Sequence, residues 1–175
     1  MAKRSRAKRS RTKRTKRSRT KRTIKKRHTG GFLPLSVTYT TTLVNNGDDL
    51  TGKPELYTKM PLIKINPADG ASYFITLTDP DVPGHKTWTH YVATITADGK
   101  VIHDFYPYEP PSPPPNSGTH HYVFNVYKDK MTYTNIKKKE GMNGDNYYKQ
   151  VLEPIIKNNK PFATLYYIIK ATPNH

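Results

Sequence analysis

Six runs along the chain carry the apolar, aromatic and β-branched residues of short strands: 36–44 (SVTYTTTLV), 71–79 (ASYFITLTD), 87–96 (TWTHYVATIT), 101–108 (VIHDFYPY), 120–128 (HHYVFNVYK) and 162–171 (FATLYYIIKA). Period-two alternation runs through Tyr73, Ile75 and Leu77, and again through Tyr122, Phe124 and Val126, so each of those strands has one apolar face. ADGK at 97–100 sets an Asp-Gly turn between two runs and predicts a hairpin. Only GDNYYKQVLEPIIKN, 144–158, has helical spacing. Asp145 is its expected cap, and its apolar residues are Tyr147, Tyr148, Val151, Leu152, Ile155 and Ile156. Pro154 is expected to break or kink it. Many short strands with one late helix predict a mostly β protein, an antiparallel β-sandwich with a peripheral C-terminal helix. EPPSPPPNSG at 109–118 has five prolines and no place in a central strand; it reads as a stiff loop delivering Gly118 and His120 to the next strand.

Charge divides the 175 residues unequally. Residues 1–28 hold 16 of the 30 Lys and Arg, all nine arginines, and none of the 13 acidic residues. The remainder is then 14 basic against 13 acidic residues, so the formal charge of +17 belongs to one end. KRSRTKRT occurs at 8–15 and again at 16–23. Such a segment repels itself and has no apolar surface to bury, which predicts a disordered tail over 1–31 and a folded domain over 32–175. Residues 3–27 suit nucleic acid or another polyanion, bound through phosphates and counterion release; with no aromatic residue there, bases are not stacked upon. The same charges suit nuclear import or an anionic membrane surface. A chain rich in Lys, Asn, Tyr and Ile fits an AT-rich genome, so packaging in a virus particle is a further reading. There is no cysteine, which excludes disulfides and thiolate chemistry. No run approaches the ~18 apolar residues of a membrane span, and no apolar h-region follows the basic segment. The expectation is an intracellular protein that is not transmembrane.

Candidate chemistry gathers in two places, TDPDVPGHKTWTHY at 78–91 and NSGTHHY at 116–122. A metal site from Asp79, Asp81, His90, His120 and His121 would draw on separate loops, without the fixed spacing of HExxH. Hydrolysis would draw on Ser72 and Ser117 as the serines near the clusters, with no GxSxG elbow. A small anion pocket needs only imidazole and phenol donors beside a Gly/Pro-rich wall, and the residues favour it. A hydrolase using the same cleft stays as the alternative, as does a structural or packaging protein acting through its tail.

LTDPDVP, then WTHY, then GTHHYVF after a proline-rich loop resembles the phosphatidylethanolamine-binding protein family, which shows D-P-D-x-P, W-x-H and G-x-H-R-Y in that order. The resemblance covers about 35–170. It implies a β-sandwich with a shallow pocket for a phosphorylated small molecule or phospholipid head group, without catalysis, cofactor or metal. Carried over by motif, Asp79, His90, His120 and Tyr122 would line the pocket, Pro113 and Pro114 would form part of its wall, and Asp81 would be a buried structural partner. His121 stands where the family has arginine; it would pair with Asp81 when protonated or as a neutral donor. A carboxylate beside a bound anion makes sense if Asp79 holds a histidine charged, or accepts a proton from a singly protonated phosphate. Binding is then expected to strengthen as pH falls from about 8 towards 6, where a histidine of ordinary pKa, about 6.5, gains its charge.

Overall fold

The computed structural model describes residues 34–66, 72–128 and 136–173. The basic segment 1–31, with its repeats and the boundary drawn after it, lies outside the described residues. The strands are β1 (Leu35–Tyr39), β2 (Thr42–Val44), β3 (Asp48–Asp49), β4 (Leu62–Ile65), β5 (Tyr73–Asp79), β6 (Trp88–Ile95), β7 (Val101–Tyr106), β8 (Thr119–Lys128) and β9 (Ala163–Lys170). They form two sheets, β2-β1-β4 and β3-β9-β8-β5-β6-β7. All pairings are antiparallel except the two-residue pairing of β3 with β9 at one edge.

Alternation decides which side chains meet between the sheets. Leu35, Val37 and Tyr39 of β1, Ile63 and Ile65 of β4, Tyr122, Phe124 and Val126 of β8, and Leu165, Tyr167 and Ile169 of β9 share one core. β5 is buried along its whole length because both faces of the large sheet are covered there. Its opposite face, with Phe74, Val92, Phe105 and Tyr127, packs on Tyr147, Val151 and Leu152 of the late helix. The core is rich in tyrosine, and several of its hydroxyls are paired: Tyr39 and Tyr167 meet at 2.9 Å, and Tyr108 donates to the Tyr57 carbonyl at 2.7 Å.

Three local expectations need correction. The run 36–44 is a hairpin rather than one strand: Tyr39 pairs with Thr42, and Thr40 takes a left-handed φ of 53° in the two-residue turn. The late helix is capped by Asn143, whose side chain accepts the Asn146 N–H at 2.9 Å; Asp145 lies one residue inside it. Pro154 does not break that helix. α2 (Gly144–Tyr147) passes into a π-helical turn (Tyr148–Leu152) and then into α3 (Glu153–Ile156), with the Glu153 N–H reaching the Tyr148 carbonyl. Slipping the ladder by one residue just before the proline widens the turn where its ring would strike a carbonyl. A one-turn helix, α1 (Pro54–Tyr57), precedes these two in the chain.

Candidate functional site

β5 and β6 are antiparallel neighbours joined by the short loop 80–87, and β8 runs antiparallel to β5. The end of β5 and the starts of β6 and β8 therefore fall at one end of the large sheet. That topology brings Asp79, His90, His120 and Tyr122 together from three separate segments. Register refines it. Leu77 pairs with Tyr91 but Thr78 pairs with Thr89, which leaves His90 as the extra residue of a β-bulge. A bulge breaks the alternation and re-aims the side chain it carries.

A cavity of ≈ 410 Å³ opens at this end, lined by Asp79, Val82, His85, Trp88, His90, Glu109, Pro110, Ser112, Pro114 and Tyr122. Of the residues expected from the sequence, Asp79, His90, Tyr122 and Pro114 are on its wall; Pro113 and His120 are not. His120 is fully buried behind Asp79. Its Nδ1 meets Asp79 Oδ2 at 2.7 Å and its Nε2 meets Ser117 Oγ at 2.7 Å. The Ser117 hydroxyl donates to the Pro114 carbonyl, so towards His120 its oxygen accepts. Both ring nitrogens of His120 thus have a partner, Asp79 on one side and Ser117 on the other. Asp79 Oδ1 accepts the Asp81 N–H at 2.9 Å, which ties loop 80–87 to the same carboxylate.

His90 has the opposite character. Its Nδ1 donates to the Glu109 carbonyl at 3.0 Å, and its Nε2 has no partner among the described residues. Burial above all pushes its pKa down to about 4; nearby Asp79 opposes this and His120 adds to it. The expected gain of charge between pH 8 and 6 therefore does not hold for His90, which is neutral over that range with a bare Nε2 lone pair. The Tyr122 ring stands edge-on to His90 at 5.2 Å. Its buried hydroxyl makes no well-formed hydrogen bond and lies towards the Asp79 carboxylate. Burial, and then the Asp79 carboxylate, raise its pKa well above the usual phenol value.

Asp81 and His121 do pair, Nδ1 to Oδ2 at 2.8 Å, and the His121 N–H reaches the same oxygen at 2.8 Å. The expectation that Asp81 is buried is wrong: the two side chains are 45 % and 36 % exposed, His121 and Asp81 respectively, because the pair lies on the outer side of the loop. Residues that the sequence did not single out complete the walls. Glu109 accepts from the Tyr106 hydroxyl at 2.9 Å and pairs with the Lys139 amine. His85 stacks edge-on against Trp88 at 5.2 Å and approaches Asp145 at 3.3 Å. The Lys149 ammonium holds Asp145 down to about 2, with the Lys86 N–H and His85 adding to it against burial. Among the described residues, no group of three or more His, Cys, Asp or Glu side chains is placed to hold a metal ion. Nor is any helix among them long and apolar enough to cross a membrane.

Residues 23–166 match the family described as "Phosphatidylethanolamine-binding protein". The chain is 33 % identical over 110 residues to "CEN-like protein 4" of Nicotiana tabacum, which covers 57 % of this chain and 61 % of that protein. It is 31 % identical over 116 residues to "Protein CENTRORADIALIS" of Antirrhinum majus, covering 59 % and 62 %. It thus spans about three fifths of the length of these relatives. Among solved structures, a phosphatidylethanolamine-binding protein from Plasmodium vivax superposes with a TM-score of 0.61 at 18 % identity, over 79 % of this chain and 85 % of that one. A carboxypeptidase Y inhibitor, in complex with its cognate proteinase, gives 0.62 at 20 % identity, over 79 % and 83 %. At those identities the likeness is one of fold.

Proposed function

The chain belongs to the phosphatidylethanolamine-binding protein family, and we propose that it is a non-enzymatic binding protein whose cavity accepts a small phosphoryl or other anionic head group, while residues 3–27 bind nucleic acid or another polyanion. Membership of the family supports a binding protein in general terms, for phospholipid head groups or anions. The observation that carries the finer reading is the pair of unused polar groups at the cavity, His90 Nε2 and the Tyr122 hydroxyl. The Tyr122 hydroxyl is a buried polar atom without a well-formed hydrogen bond on a cavity wall, and His90 stands on the same wall; such an atom is a place for a ligand atom. His120 and Ser117 act from behind as positioning residues through Asp79, which is itself on the wall, and Pro114 and Pro110 stiffen that wall. Phosphate or phosphoethanolamine added to histidine-labelled protein is expected to shift the imidazole signals of His90, and of His120 through Asp79, but not those of His28 or His175. No shift at His90 at any pH from 5 to 8 would overturn the reading.

One observation favours the hydrolase alternative: Ser117, His120 and Asp79 are connected as in a Ser-His-Asp triad, at 2.7 Å for each link. Two others weigh against it. The Ser117 hydroxyl spends its proton on the Pro114 carbonyl, and Ser117 is not on the cavity wall. A fluorophosphonate probe is expected to leave Ser117 unlabelled; a Ser117 adduct lost on His120→Gln would favour the hydrolase.

A further inference from the structure

The outer face of the small sheet is open. Alternation sends Leu35, Val37, Val44, Ile63 and Ile65 inward to the core and turns Leu43, Thr38 and Leu62 the other way. Register then sets those three side by side, because Thr38 pairs with Leu43 on β2 and with Leu62 on β4. Leu43 is 48 % exposed and Leu62 51 %. Met60, just before β4, is exposed as well. The turn at 96–100 lies along the free edge of β4. The Ile65 N–H reaches the Ala97 carbonyl at 2.8 Å, and a Cβ added to Gly99 would meet the Ile63 carbonyl oxygen at 2.1 Å. Val101 and Ile102 leave from that turn and are also exposed. The exposed large hydrophobic residues of the described chain therefore gather on and beside one small sheet, as they do at an interaction surface. Lysine accompanies them. Lys64 follows Leu62 on the same face, and Lys59 and Lys100 precede Met60 and Val101 in the chain; all three are exposed. The stretch 53–64 holds three lysines and one acid, Glu55. Among the described residues, the lysine ion pairs are made by Lys86, Lys139, Lys149 and Lys170 instead. Asp98, the acid of the turn, accepts from the Thr96 hydroxyl.

We propose that this outer face docks on an anionic lipid bilayer, its aliphatic side chains entering the boundary between head groups and acyl chains while Lys59, Lys64 and Lys100 meet the lipid anions. The residue types select a bilayer over a protein. Interfaces between proteins favour Tyr, Trp and Arg and are depleted in Lys. Here the exposed apolar residues are Leu, Met, Val and Ile, the cations are lysines, and all nine arginines lie in 1–28. Lysine suits a bilayer, since its stem lies along apolar surface while its ammonium stays at the level of the head groups. A second copy of the chain is disfavoured by the same charges, which would face one another across a twofold axis. None of the residues lining the cavity belongs to β1, β2 or β4, so the surface stands apart from the ligand reading.

The chain has no cysteine, so a single introduced one carries an environment-sensitive dye to a chosen place. Leu62→Cys and Leu43→Cys report on the face. Asn158→Cys is the control: it follows α3, which belongs to the layer packed on the opposite side of the large sheet. Each full-length labelled protein is mixed with vesicles of phosphatidylcholine alone, or with about 30 % phosphatidylserine added to supply negative charge. Sedimentation measures the bound fraction. With the anionic vesicles, emission at 62 and 43 is expected to shift to the blue and to be quenched by spin labels on shallow acyl positions, whereas the dye at 158 stays as in water. Leu43→Asp beside the dye at 62 should abolish the shift even on protein held to the vesicles by its basic segment. The melting temperature should not move, since position 43 is exposed. Aqueous emission at 62 and 43 on vesicle-bound protein would overturn the inference. So would an equal shift at 158, which would mean contact without a preferred face. A shift that grows with protein concentration and needs no lipid would also overturn it and assign the face to a second copy.

Discussion

His90 is a residue whose neutral form the fold favours, and its stability effect has a definite sign. Its pKa in the folded chain is about 4, against about 6.5 when exposed. Between those values the unfolded chain binds the proton and the folded chain does not. Stability is then lost as pH falls from about 6.5 towards 4, and the loss levels off below that. The shift corresponds to about 3 kcal/mol across the window. His90→Gln, which cannot titrate, is expected to flatten this part of the profile when unfolding free energy is measured by urea at pH 7, 6, 5 and 4. Parallel curves for the two proteins would mean that His90 charges normally. The surface pair behaves differently. With both side chains more than a third exposed, His121→Leu should cost no more than about 1 kcal/mol. Asp81→Ala should cost more, since it also strips the acceptor from the His121 N–H. Equal losses for the two would show that the backbone contact contributes nothing.

Strands β5 and β8 could be read from alternation in the sequence because each puts apolar residues on a covered face. The hairpin turn at 97–100 followed from Asp98 and Gly99, and Gly99 does take a φ of 91°. β4 escaped notice because its alternation rests on Ile63 and Ile65 alone. The bulge at His90 left no local mark, since it is a matter of register between two strands. The motifs named Asp79, His90 and Tyr122. They did not say that His120 would face away from the cavity, because Ser117 takes its second nitrogen, nor that Glu109 and His85 would stand on the wall. The helix contributes to that wall through Trp88, the sole tryptophan, against which Gly144 lies so closely that an added Cβ would meet Nε1 at 2.5 Å. Gly144→Ala must push the indole or the helix aside, a change expected to cost about 1–3 kcal/mol. Tryptophan emission should shift at the same time, since no other residue reports in that channel. An unchanged melting temperature together with an unchanged spectrum would show that the contact gives way freely.

At the level of the whole chain, the two kinds of anion recognition proposed for pocket and tail rest on different physical terms. The folded part is nearly neutral, +1 from 14 basic and 13 acidic residues, and its proposed pocket relies on placed hydrogen-bonding groups. The segment 1–28 carries 16 basic residues and no acidic ones. Its attraction to a polyanion needs no geometry, only released counterions, so salt should separate the two activities. If half of those 16 charges engage duplex phosphates, the slope of log K against log salt is roughly −7, from about −0.9 per contact. Duplexes of unrelated sequence should bind alike, because arginine and lysine on phosphates read no bases. Binding of phosphate at His90 should change little over the same salt range, since its donors and acceptors are buried at the cavity and less screened. A protein starting at Phe32 should keep the melting transition and the His90 response while losing the duplex. Undiminished duplex binding by that shortened protein would place the polyanion site on the folded domain. The pocket response of full-length protein should also survive a saturating duplex, because the duplex is expected to use charge alone and the pocket placed hydrogen-bonding groups. Loss of that response on adding duplex would mean that the two recognitions compete for one surface, and would join what the charge distribution keeps apart.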